Sequence, residues 1–139
     1  MAEIEVNEYV RTNKGNIGRV VEIRLGFNKD TQLYQNVYIL DNGLWTILEY
    51  IVKHSKQLID LIEVGDIVNS CIVVGFGYEC VNGNKEKSIL VEGKYTKVNF
   101  VLLNWDIKTI LTKEIYMANC YKVGGEEDEW LCKKKMCKV

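Results

Sequence analysis

Apolar and polar residues alternate with a period of two over much of the chain, which is the spacing of a β-strand with one buried face. The alternation is clearest over residues 21–25, where Glu and Arg separate Val, Ile and Leu. Residues 37–40 and 44–47 are apolar segments on either side of Asp41-Asn42-Gly43. That tripeptide predicts a hairpin, because Asn and Gly tolerate the positive φ of a type I′ turn.

The second half of the chain has the same kind of punctuation. Residues 71–76 form an apolar segment that is typical of a buried strand, and Asn82-Gly83 marks a turn. Residues 92–94 separate an apolar segment at 88–91 from a longer one at 95–103. Short strands with frequent turns indicate a small antiparallel barrel in each half.

A weak internal repeat supports this division into halves. Residues 4–10 align with residues 62–68 at an offset of 58, both in the order apolar, acid, apolar, small polar, acid, apolar, Val. A repeat spacing of this length is a signal about the whole fold. At an offset of 60, the matches are Trp45 with Trp105 and residues 51–54 with residues 111–114.

We therefore expect two tandem units, residues 1–57 and 58–123, joined by a short helical turn near Ser55 to Leu61. Ser55 is a plausible N-cap for that turn. Residues 124–139 change abruptly to Gly-Gly, an acidic run and a basic run, which indicates a flexible charged tail.

The composition favours sheet over helix. The 139 residues include two Ala but 16 Val and 14 Ile, and β-branched side chains lose rotamer freedom in a helix. An apolar fraction of 47% is that of an ordinary globular protein. The formal charge of −1 excludes both the strong positive field of a general nucleic-acid binder and the acidity of a DNA mimic.

The N-terminal and cysteine patterns predict a cytoplasmic protein of the host cell. Residues 1–5 lack the basic and apolar regions of a secretion signal, and no apolar run approaches the roughly 20 residues that span a bilayer. We therefore expect no membrane partner. An odd number of cysteines without such a signal indicates reduced thiols. The five are Cys71, Cys80, Cys120, Cys132 and Cys137.

No motif predicts catalysis, a metal or a cofactor. Cys132 and Cys137 form only a C-x₄-C pair, which is not the usual zinc spacing. Gly75-Phe76-Gly77 lacks the third glycine of a nucleotide fingerprint. His54 is the only histidine, and its strand context is that of an ordinary strand-end residue. We therefore expect a protein without catalytic residues, which is not an enzyme.

Residues 5–12 and 17–23, with Gly18 at the start of a strand, resemble the opening of small SH3-like barrels of the KOW kind. Together with residues 53–55, 58–66 and 107–114, the chain is similar to small uncharacterised proteins common in prophages of Firmicutes. Together with the composition and the repeat, this resemblance predicts an all-β protein of two tandem small SH3-like barrels. It also implies an accessory protein of a mobile element, some of which block host defence systems, and it transfers no catalytic residue.

Aromatic residues are the better indication of a binding surface, because aromatic side chains anchor interfaces. We expect residues 26–36 to form a polar loop in which Phe27 and Tyr34 either contact a partner or pack. Trp45 and Trp105 are expected to fill the two barrel cores. The predicted partner-binding residues are Phe27, Tyr34, Tyr78, Lys94 and Tyr95.

Two functions follow as hypotheses. The first is a phage protein that binds and inhibits a host macromolecule, most naturally a defence protein such as a CRISPR nuclease, by an anti-CRISPR type of action. The second is a nucleic-acid-binding module, since residues 53–56 and 94–97 combine lysines with an aromatic or imidazole ring.

Overall fold

A computed structural model describes residues 3–93, 98–121 and 123 of the protein. The chain divides after Leu61 into two compact units. Each unit contains one five-stranded antiparallel sheet, and the chain is mostly β, as the composition predicts.

In the first unit the sheet order is β4-β3-β2-β1-β5. A 3₁₀ helix, Leu48–Tyr50, joins β4 to β5, and a second one, Leu58–Leu61, follows β5 where the sequence predicts a helical turn. The strands are β1 (Tyr9–Thr12), β2 (Ile17–Asn28), β3 (Leu33–Leu40), β4 (Trp45–Ile47) and β5 (Ile51–Ser55).

The second unit repeats this topology with the order β10-β6-β7-β8-β9. A 3₁₀ helix, Asn104–Asp106, again stands between its fourth and fifth strands, and the helix α1 (Lys113–Asn119) follows the last one. The strands are β6 (Ile67–Val68), β7 (Cys71–Val81), β8 (Asn84–Glu92), β9 (Asn99–Leu103) and β10 (Ile110–Leu111).

The offset of 58 corresponds to a repeated hydrogen-bonded corner before the first strand of each unit. Glu8 Oε2 accepts the backbone N–H of Glu5 at 2.6 Å, and Asp66 Oδ2 accepts that of Glu63 at 2.8 Å. Each carboxylate therefore accepts a hydrogen bond from the backbone N–H of the residue three positions before it.

The backbone of the corner is repeated as well. Asn7 has a φ of 80° and donates its N–H to the Val20 carbonyl at 2.7 Å, while Gly65 has a φ of 98° and donates to Val73 at 2.9 Å. Asn and Gly are the residues that tolerate this left-handed conformation. Val20 and Val73 are both fully buried, so each corner is fixed onto the interior of its own unit.

The offset of 60 is not a structural equivalence. In the last strands, His54 faces Val10 and Ile110 faces Val68, so the offset has fallen from 58 to 56. Lys113 and Glu114, which the sequence aligned with the strand β5, lie in the helix α1. The strands between the two ends differ in length, so a single offset cannot hold over both.

The first core is built from side chains of four strands, β1, β2, β3 and β5, and of the corner. The buried cluster consists of Ile4, Val10, Val20, Tyr38, Leu40 and Ile51. The expectation that Trp45 and Trp105 fill the cores is wrong. Their side chains are 66% and 52% exposed, because Trp45 begins β4 and Trp105 lies in a 3₁₀ helix that buries no residue.

Both predicted hairpin turns are present, but with different geometry. Asn82 and Gly83 have φ values of 51° and 82°, as a type I′ turn requires. Between β3 and β4 only Gly43 of the Asp41-Asn42-Gly43 segment has a positive φ, 85°, so this turn is not of type I′.

Candidate functional site

The β2–β3 hairpin extends beyond the core of the first unit. The expectation of a polar loop over residues 26–36 is wrong, because β2 and β3 remain paired until Asn28 faces Leu33. Only residues 29–32 form the turn. Asn28 caps it, since its Oδ1 accepts the N–H groups of Asp30 and Thr31 at 2.9 and 3.3 Å.

Phe27 and Tyr34 are brought together on this hairpin as a cross-strand pair. Their ring centroids are 5.1 Å apart at an interplanar angle of 68°, an edge-to-face contact. The two residues are nevertheless 49% and 67% exposed, and Leu25, two residues before Phe27, is 71% exposed. We call the surface formed by these three residues the bare hairpin surface.

The bare hairpin surface continues the face of the sheet that covers the core. Leu25 and Phe27 follow Ile23 at intervals of two residues, and Ile23 faces the buried Tyr38. Successive residues of a strand point to opposite faces, so this apolar face runs outward from the interior. An apolar face that leaves the core without cover is typical of an interaction surface.

The second unit has a corresponding hairpin, β7–β8, in which Phe76 and Tyr78 are 46% and 62% exposed and each ring has a lysine ammonium over one face. Tyr78 lies within β7, and the ammonium of Lys85 lies 4.5 Å from the centroid of its ring. The ammonium of Lys87 lies 5.3 Å from the ring of Phe76. Cation–π contacts of this kind occupy the faces that a partner would use. Tyr78, although exposed, is therefore a weaker anchor than Phe27 or Tyr34.

Lys94 and Tyr95, the remaining predicted partner-binding residues, lie outside the described residues, as does the whole of the basic segment 94–97. In the other basic segment, 53–56, the Lys56 ammonium lies 3.9 Å from a carboxylate oxygen of Glu5. A cation with a carboxylate beside it is a poorer ligand for phosphate.

His54 and Glu8 form a pair between the adjacent strands β5 and β1. Nδ1 of His54 lies 2.8 Å from Oε1 of Glu8. Burial by itself would raise the pKa of the Glu8 carboxyl, but the hydrogen bonds from His54 and Glu5, with the charge of His54, outweigh it and the pKa is lowered. Both carboxylate oxygens are used, so the pair fastens the strand to the corner.

A pocket of about 320 Å³ opens near the other end of the first sheet. The exposed residues Trp45 and Tyr50 line it, next to the β1–β2 turn. Sequence reasoning missed this pocket because it assigned Trp45 to the core. The available signal was a tryptophan that immediately follows a turn ending in Gly43-Leu44.

Metal ligands, cysteines and membrane-spanning helices were the remaining features that could indicate a function. Among the described residues, no group of three or more His, Cys, Asp or Glu side chains is placed to hold a metal ion. Cys71 and Cys80 are free, whereas Cys120 is disulfide-bonded, which departs from the expectation of reduced thiols. Within the part of the chain described, every helix is too short or too polar to cross a bilayer.

Comparison of the chain with protein-family models, with curated proteins and with solved structures gave no significant match.

Proposed function

We propose that this protein is a non-catalytic binding protein that attaches to another protein through the bare hairpin surface. The observation that carries the proposal is the Phe27–Tyr34 pair, whose rings are in edge-to-face contact while the two residues remain 49% and 67% exposed. Aromatic side chains on a rigid strand pair bury a large apolar area at a small loss of conformational entropy, which is the property of interface anchors.

The partner in this proposal is a host defence protein, such as a CRISPR nuclease, and the consequence of binding is inhibition in the host cytoplasm. The resemblance of the chain to prophage accessory proteins supports this choice of partner. A neutral net charge also suits it, because the surface would recognise the partner by shape and apolar contact rather than by a strong field.

Closure of each sheet into a small SH3-like barrel is part of the proposal. β4 and β5 are the two edges of the first sheet, yet only the three residues of the 3₁₀ helix Leu48–Tyr50 join them. In a flat sheet the edges of five strands would lie about 19 Å apart, at roughly 4.8 Å per strand. A 3₁₀ helix rises by only about 2 Å per residue, which favours a strongly curled sheet.

The test is an affinity capture from a host lysate with the wild-type protein and with the double variant Phe27→Ala/Tyr34→Ala. Binding to the captured partner should weaken by roughly 2 kcal/mol, or about thirtyfold in Kd, if the pair is a hot spot. The matched control is Phe100→Ala/Trp105→Ala in the second unit, at two exposed aromatic residues outside the predicted interface, which should bind like the wild type. Equal affinity of the Phe27/Tyr34 variant would refute the interface.

A titration of the captured partner's activity tests the inhibitory mechanism separately. Inhibition by occlusion should saturate when about one molecule is present per target, with Kd far below the target concentration. Complete loss of the target's activity at a small fraction of that ratio would instead require turnover, and would refute a non-catalytic mechanism.

A further inference from the structure

We propose that the pocket at the β1–β2 turn of the first unit binds a nucleotide. This site lies at the opposite end of the first sheet from the β2–β3 turn and goes beyond the protein-binding function proposed above, although Trp45 also lines a groove that includes Leu25 of the bare hairpin surface. Its volume of about 320 Å³ is at the lower end of the roughly 300–1,000 Å³ that is usual for ligand pockets. The lining residues that could contact a ligand include Asn13, Lys14, Asn16, Leu40, Trp45 and Tyr50.

Aromatic walls select a planar ligand. Trp45 is 66% exposed and Tyr50 is 47% exposed, and both line the pocket. The buried side chain of Leu40 provides an apolar surface between polar groups. Stacking of a base on an exposed aromatic ring stabilises the bound state, which would offset the exposure of a tryptophan to solvent.

The charged and polar lining selects an anionic ligand with hydrogen-bonding edges. Lys14 is the one charged side chain among the lining residues, and no carboxylate joins it there. A cationic ligand is therefore disfavoured, whereas a phosphate group fits. The amides of Asn13 and Asn16 each offer a donor and an acceptor, and such groups recognise the edge of a base.

The polar side chains of the turn are available to bind a ligand, while hydrogen bonds fix the turn's backbone. No hydrogen bond joins the side chain of Asn13, Lys14 or Asn16 to the described part of the protein. The Asn13 N–H, by contrast, donates to the Tyr50 carbonyl at 2.8 Å, and that of Thr12 donates to Asn16 at 2.9 Å. The Asn16 N–H donates to Thr12 Oγ1 at 3.1 Å.

A preformed turn with uncommitted side chains reduces the ordering that a ligand must impose. The turn therefore carries the donors, the acceptors and the ammonium on a fixed frame, while Trp45 and Tyr50 offer the stacking surfaces. Together these features favour a base held at the rings and a phosphate held at Lys14.

The experiment is a fluorescence and chemical-shift titration of the full chain with nucleoside monophosphates, the matching nucleosides and a short single-stranded oligonucleotide. Saturable quenching by the nucleotides, weaker binding of the nucleosides and loss of roughly tenfold in affinity on Trp45→Ala are expected. Trp105→Ala, which removes an exposed tryptophan of the second unit, is the control and should bind normally. A preference for the oligonucleotide would identify a strand, rather than a free nucleotide, as the source of the ligand.

Lys14→Gln keeps the proposal testable if the Trp45 variant does not fold. It should reduce nucleotide affinity to that of the nucleoside, whereas Lys29→Gln on the hairpin turn should not. The proposal would be overturned if neither the nucleotides nor the oligonucleotide bound saturably. Unchanged nucleotide affinity in a folded Trp45→Ala protein would also overturn it. So would a preference for a ring compound that is uncharged or carries a carboxylate. Phe27→Ala/Tyr34→Ala should retain nucleotide binding, so the two proposals can fail separately.

Discussion

Glu8 shows how one buried carboxylate can hold two parts of a sheet. One oxygen accepts the N–H of Glu5, and the other contacts the imidazole of His54 on β5. A carboxyl whose pKa is lowered by folding adds stability above its ordinary pKa, and that stability is lost as the pH falls through the lowered value.

We therefore expect the urea midpoint of the wild type to fall as the pH drops below about 4.5, the ordinary value for this carboxyl. Glu8→Gln should lower the midpoint at neutral pH and flatten this acid dependence, because the amide cannot ionise. Glu49→Gln, at an exposed position in the first unit, should keep the wild-type slope. A Glu8→Gln protein with an unchanged acid slope would contradict the assignment.

Arg11 is the largest fully buried side chain among the described residues. It connects β1 to the end of the 3₁₀ helix Leu58–Leu61. Its Nη1 donates to the Leu61 carbonyl at 3.0 Å. Arg11→Met fills similar space but leaves that carbonyl without this donor, so we expect a loss of about 2 kcal/mol in the free energy of unfolding.

The control for Arg11 is Arg19→Met, since the exposed Arg19 guanidinium donates to Asn7 Oδ1 at 2.8 Å. Arg19→Met should lower the free energy of unfolding by no more than about 0.5 kcal/mol. Chemical denaturation measures the free energy of unfolding of both variants. Similar losses would show that the buried Arg11 hydrogen bond contributes no more to stability than an exposed one.

Among the strands, β2 has a glycine that is required by close packing. A Cβ built at Gly18 would lie 2.9 Å from the Leu40 Cβ and 3.0 Å from its Cδ1. Leu40 is buried and cannot move aside easily. We expect Gly18→Ala to destabilise the protein by about 1–3 kcal/mol, as overpacked cores do.

Gly75 of β7 is the matched strand glycine, because a Cβ there would meet nothing within 4 Å. Gly75→Ala should be neutral or slightly stabilising, since alanine has less conformational freedom to lose on folding. Thermal melting compares the two variants directly. Equal melting temperatures would contradict the packing explanation for Gly18.

The sequence predicted the cores of these strands better than their ends. The alternation over residues 21–25 identified β2, but Gly26, Asn28 and Asp30 gave the following segment the composition of a loop. Strand pairing continues there because Asn28 caps a turn of only four residues and Phe27 packs on Tyr34. Such cross-strand contacts depend on register, which composition does not reveal.

Across the whole molecule, the repeat was visible where a hydrogen-bond pattern requires particular residues. The corner needs an acid at Glu8 or Asp66 and a residue tolerant of positive φ before it, so the two copies remain alike. Trp45 and Trp105 matched by coincidence of spacing, because neither fills a core. The pocket was not predicted because its lining comes from segments far apart in sequence.

The first unit has its own buried cluster, so residues 1–61 should fold when expressed alone. A domain of this size is marginal, and we expect a cooperative thermal transition with a strand-type circular dichroism spectrum. Val20→Ala, at a fully buried position, should lower the melting temperature by roughly 4–8 °C for each kcal/mol lost. A fragment without a cooperative transition would show that this cluster is insufficient.

The lysines over Phe76 and Tyr78 make the surface of the second hairpin dependent on chemical modification. A cation–π contact requires a charged ammonium, so acetylation of Lys85 and Lys87 would remove the contact over one face of each of these already exposed rings. The modified hairpin would then present uncovered aromatic faces, as the first one does. The tendency of the protein to self-associate through these rings is thus expected to rise with lysine acetylation, although the formal charge would move from −1 to −3 and oppose it.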